Sequence, residues 1–98
     1  MSADISIHAR ILFALAGHSY NGLRLTQIAE AIGESAPTAL RALQRAQQDG
    51  LVELAPLSDK CWRLSPRIVQ IALQHSTAVL REEEKLNEFK ARYSRLPS

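Results

Sequence analysis

Between Leu25 and Leu51 the chain is punctuated so densely that few folds accommodate it. Thr26 is placed to cap a first short helix that carries Ile28, Ala29 and Ile32 on one face, and Gly33 supplies the left-handed residue that stops it. Ser35 then caps a second helix. Pro37 falls in its first turn, where an N–H has no intrahelical acceptor to lose. The apolar residues of this second helix, Ala39, Ala42, Leu43 and Ala46, recur at helical spacing and form one stripe, leaving Thr38, Arg41, Gln44, Arg45 and Gln48 on the opposite face. A short helix, a glycine turn and a second helix with a polar outer face have the layout of a helix-turn-helix.

The flanks extend this unit. From about Asp4 to Gly17 the residues Ile7, Ile11, Leu12, Leu15 and Ala16 mark a core helix, capped by Asp4 or Ser6 and carrying Arg10 on its outer side. His18 to Arg24 reads as a turn built on Asn21-Gly22. After the second helix Asp49-Gly50 is a stop, Leu51 to Leu54 a short strand, Ala55 to Lys60 a loop, and Cys61 to Leu64 a second strand with Trp62 and Leu64 on one face. Two strands and a polar loop directly after the second helix form a wing. The expected fold is mostly α with a small β-hairpin, a winged helix-turn-helix over residues 1–66, followed by a long C-terminal helix over 67–98.

That last helix opens at Ser65-Pro66, with Ser65 as cap, and meets no stop before Pro97. Extended to Leu96 it would reach about 45 Å, more than a small domain's width. Ile68, Ala72, His75, Val79, Glu82, Leu86, Phe89, Tyr93 and Leu96 alternate by four and three, the spacing of a coiled-coil seam interrupted by His75 and Glu82. Ile68, Ile71, Ala72 and Leu73 are expected to pack on the domain core. Val79, Leu86, Phe89, Tyr93 and Leu96 are left for a partner, most simply a second copy.

With 98 residues, 46% hydrophobic and 22% charged, the chain fits one small domain that buries roughly 60–65% of its unfolded surface and gains from association. No apolar run suits a membrane span or signal peptide, and a lone Cys61 excludes an internal disulfide; both point to a cytoplasmic protein. His8, His18 and His75 stand apart from one another and from carboxylates, so no metal site is expected, and the absence of a phosphate loop, nucleophile elbow or acid/base pair argues against an enzyme and for no cofactor. The net charge of +2 permits nucleic-acid binding without requiring it.

The run from Leu23 to Leu54, followed by Trp62-Arg63-Leu64-Ser65-Pro66, resembles the N-terminal DNA-binding domain of IclR-type bacterial transcription regulators. The matching positions are Thr38-Ala39-Leu40-Arg41, Gly50-Leu51 and the Trp62-to-Pro66 run, and the resemblance covers about Arg10 to Ala72; the pattern overlaps that of MarR-type and other winged helices. Two departures stand out: Ala42 and Ala46 occupy positions where the family usually has Leu, and the family's larger ligand-sensing domain has no counterpart, so no small-molecule effector is expected for this chain. The resemblance implies a repressor-like, sequence-specific DNA-binding regulator, and the C-terminal seam implies that it acts as a dimer. Helix 35–49 would enter the major groove with Ala36, Pro37, Thr38 and Leu40 towards the bases and Gln44 among the DNA-binding residues, and wing 51–64 would lie alongside. Arg41 would hold a phosphate or reach guanine, the family likeness favouring the phosphate. Arg10, Arg24, Thr26, Gln27, Arg45, Lys60 at the wing tip, and Arg63 are candidates for the backbone; Glu34 and Asp59 would repel it. The alternative is a winged-helix protein-interaction module or regulatory subunit that does not bind DNA on its own.

Overall fold

The computed structural model describes residues 5–56 and 58–94, with the side chains of residues 58 and 59 left aside. Its elements, in order, are α1 (Ile7–Leu15), β1 (Leu23–Arg24), α2 (Leu25–Ile32), α3 (Ala36–Gln48), β2 (Val52–Ala55), β3 (Ser58–Leu64) and α4 (Pro66–Ser94). Contacts divide the chain into two units, meeting between Ile68 and Val69. The first is the winged helix; the second is the remainder of α4 and is described separately below.

The core is made where three helices present their apolar stripes to one another. Ile11 and Leu15 of α1, Ile28 and Ile32 of α2, and Ala39 and Leu43 of α3 are buried, with Ala46, Val52 and Trp62 completing the cluster. Ser6 caps α1 by accepting the Ala9 N–H, so the helix starts at Ile7 rather than near Asp4, which lies outside the described residues. α3 follows the expected pattern closely: Ser35 accepts the Thr38 N–H, Pro37 lies in the first turn, and the four stripe residues are all buried. Both helix exits are closed by six-residue turns, Glu34 N–H to Ala29 C=O at 3.0 Å and Leu51 N–H to Ala46 C=O at 2.9 Å, around left-handed Gly33 and Gly50.

The sheet departs from a simple hairpin. Its order is β1-β3-β2, all antiparallel, because the end of the expected His18–Arg24 turn pairs as β1 with the wing, Leu23 opposite Trp62 and Arg24 opposite Cys61. This pairing moves the start of α2. Arg24 is still extended, so the helix begins at Leu25 and Thr26 is its second residue, not its cap; the Arg24 N–H is taken instead by the Gln27 side chain at 2.9 Å.

β3 also begins earlier than expected, at Ser58, so Lys60 lies within a strand rather than at the wing tip. The register jumps here. Leu54 faces Trp62, yet Ala55 faces Ser58, leaving Asp59, Lys60 and Cys61 as extra residues on β3 that have no counterpart on β2. Ser65 is buried, its amide donating to the Leu51 carbonyl at 3.0 Å and its hydroxyl to the Gly50 carbonyl, which ties the exit of β3 to the exit of α3.

In the second unit every residue from Gln70 to Lys90 is exposed. Of the residues expected to join the core, Ile68 is half-buried, whereas Ile71 and Leu73 are 61% and 59% exposed. No helix among the described residues is long and apolar enough to cross a membrane.

Candidate nucleic-acid interface

The inward stripe of α3 fixes what faces outward. With Ala39, Ala42, Leu43 and Ala46 buried, Pro37, Arg41, Gln44, Arg45 and Gln48 are exposed, and Thr38 is half-buried at the leading end. Leu40 packs against the core cluster and Ala36 is half-buried, so both offer less surface than their place near the helix start suggests. A spacing of three links the polar residues at this end. Ser35 donates its hydroxyl to Thr38 Oγ1 at 3.0 Å, and Arg41 Nη2 donates to the same oxygen at 3.3 Å. Arg41 is thereby drawn towards the start of the helix. The sequence marks Ser35 only as a cap, although Ser35, Thr38 and Arg41 stand at i, i+3 and i+6, a spacing that places them on one helix face.

The remaining cations fall into two groups. Arg24, Arg45 and Lys60 are exposed, as are Thr26 and Gln27 on α2. Arg10 and Arg63 are committed within the domain. Arg10, far from lying idle on the outside of α1, donates to the Ile32 carbonyl at the end of α2 and pairs with Glu34 at 3.1 Å. It therefore answers one of the orphan carbonyls of a helix C-terminus and neutralises the carboxylate expected to repel phosphate. Arg63 faces Glu53 directly across the β2–β3 ladder, pairs with it at 2.7 Å and donates to the Tyr20 carbonyl at 3.4 Å. Both contacts join residues far apart in the chain, which is why neither is visible from local spacing.

The surface so formed can do one kind of chemistry well. It offers hydrogen-bond donors and fixed positive charge along an α-helix of the width a major groove admits, with an exposed lysine on β3 of the wing. Among the described residues no three His, Cys, Asp or Glu side chains group as metal ligands do.

Residues 7–56 match the family of IclR helix-turn-helix domains. No curated protein matches the chain. Among solved structures it is similar to an IclR transcriptional regulator from Alicyclobacillus acidocaldarius, with 30% identity and a TM-score of 0.59 over 70% of this chain; it spans 27% of that regulator's length. It is also similar to the Zα domain of ORF112 from cyprinid herpesvirus 3, in a structure of its binding mode to Z-DNA, with 29% identity and a TM-score of 0.52 over 61% of this chain and 97% of the other. MepR from S. aureus, in a complex with DNA, shares the fold at 19% identity and a TM-score of 0.59, covering 97% of this chain and 79% of that one.

Proposed function

The chain belongs to the family of IclR helix-turn-helix domains, and from that premise we propose that it is a sequence-specific DNA-binding transcriptional regulator, repressor-like, acting as a dimer. The observation that carries this reading is the outer face of α3: Arg41 hydrogen-bonded to Thr38 at the helix start, with Gln44, Arg45 and Gln48 exposed behind it. In the major groove, Thr38 and Gln44 approach base edges and Arg41 clamps a phosphate. Pro37 supplies an apolar contact of the kind a thymine methyl accepts. Thr26, Gln27, Arg24 and Arg45 hold the sugar-phosphate backbone, and Lys60 reaches it from the wing. Leu40, Ala36 and Arg63 have supporting roles, because Leu40 packs on the core, Ala36 is half-buried and Arg63 is paired with Glu53. Val79, Leu86, Phe89, Tyr93 and Leu96 join two copies, Leu96 lying outside the described residues.

A duplex selected from random DNA, titrated by fluorescence anisotropy at rising salt, tests the reading. Affinity is expected to fall linearly on a logarithmic scale with a slope of about −0.9 per phosphate contacted. Arg41→Ala should weaken binding roughly ten-fold or more. Retention that ignores salt, or an Arg41→Ala protein that binds like the parent, would favour a protein-docking winged helix instead.

A further inference from the structure

The exposed part of α4 has an apolar seam whose charges are not arranged alike along its length. Leu86, Phe89 and Tyr93 are 51%, 57% and 59% exposed, and the Phe89 and Tyr93 rings pack tilted at 56° with centroids 4.8 Å apart, making one aromatic ridge. Ahead of the ridge lies the acidic run Glu82-Glu83-Glu84; within it lie Glu88, Lys90 and Arg92. Resting on the reading that α4 joins two copies, we infer that the copies pair antiparallel, about a point between Asn87 and Glu88.

The seam disfavours the parallel alternative. In a parallel pair each seam residue meets its own counterpart, so Glu82 would face Glu82 in a partly dehydrated layer, and Lys85 would lie beside Lys90 of the second copy. Reversing one helix removes both conflicts. Leu86 then packs on Phe89 of the second copy, and Glu82 lies opposite Tyr93, whose hydroxyl donates to the carboxylate. Glu83 falls beside Lys90 on one flank, an attractive pair, while on the other flank Lys85 falls beside Arg92 of the second copy, so the gain over the parallel arrangement lies in the seam layer of Glu82 and in the Glu83–Lys90 pair. Lys85 stays with its own Glu82, at 3.3 Å.

Two measurements on the full chain decide the orientation. With Cys61→Ser as background and a spin label on a cysteine introduced at Gln70→Cys, antiparallel pairing separates the two labels by about 50 Å, whereas parallel pairing keeps them level and below about 30 Å apart. Lys90→Glu gives opposite signs: it should weaken the antiparallel dimer about five-fold by facing Glu83, and would strengthen a parallel one by relieving Lys85. A dimer with the short distance, or one tightened by Lys90→Glu, overturns the orientation and leaves the tail interface standing. A chain that sediments as a monomer, or a dimer indifferent to Leu86→Asp, overturns the tail interface and the orientation with it.

Discussion

Gly22 carries two constraints at once. Its φ of +74° is a region that side chains with a Cβ avoid, and a Cβ there would stand 2.4 Å from the Trp62 carbonyl oxygen and 2.9 Å from its carbon. Gly33 carries only the first, since a Cβ on it would meet open space. Gly33→Ala should therefore cost about 1–2 kcal/mol. Gly22→Ala should cost clearly more in urea unfolding, because the clash is with backbone and no side-chain rotation relieves it. The basic residues divide in the same way between fold and surface. Arg63 is tied to Glu53 and Tyr20, and Lys60 is exposed on the same strand. Arg63→Ala is expected to lower the urea midpoint, while Lys60→Ala should leave stability unchanged and flatten the salt dependence of DNA binding by about one phosphate contact. Equal effects of the two on stability would contradict this division. Of the two constraints at Gly22 only the turn was legible in the sequence: Asn21-Gly22, like Gly33, announces a positive φ, but the closeness of Trp62, forty residues on, does not appear in local spacing.

At the scale of the element, α3 shows how a helix can be read from its own residues. Ser35, Pro37 and Gly50 mark its ends and four small or apolar residues its buried face, and each lies within one turn of the next, so the pattern and the structure coincide. Ser35→Ala should cost about 1 kcal/mol by leaving the Thr38 N–H without its acceptor, and should also release Thr38 and Arg41 from their shared hydrogen bonds. DNA affinity is then expected to drop further than the loss of stability accounts for. Three alanines on the buried face set a close approach of α3 to its neighbours, Ala46 being 1% exposed. Restoring the larger residue usual in the family, with Ala46→Leu, should overpack this contact and destabilise the domain by about 1–3 kcal/mol, seen as a lower thermal midpoint. The sheet is a different case. β1 is two residues long and has no period of its own, and the register shift on β3 opposite Leu54 and Ala55 has no signal in the local pattern.

At the scale of the whole molecule, the buried cluster belongs to the first unit, and the second presents its apolar side chains to solvent. A chain truncated after about His75 should therefore keep its thermal transition yet sediment as a monomer, while the full chain dimerises. Loss of folding on truncation would mean that α4 supports the domain; a truncated dimer would move the interface elsewhere. The amino-acid sequence by itself determined the helix-turn-helix, the wing and the long C-terminal helix, because caps, turns and apolar stripes act over three or four residues and each is written where it acts. Tertiary structure decided what those residues could not specify alone. It made Leu23–Arg24 a strand by supplying the edge of β3, displaced the start of α2, and turned Arg10 and Arg63 inward to Glu34 and Glu53. The physical reason is common to these cases: a hydrogen bond or ion pair between distant segments forms only when the fold brings them together, and no local period records that it will.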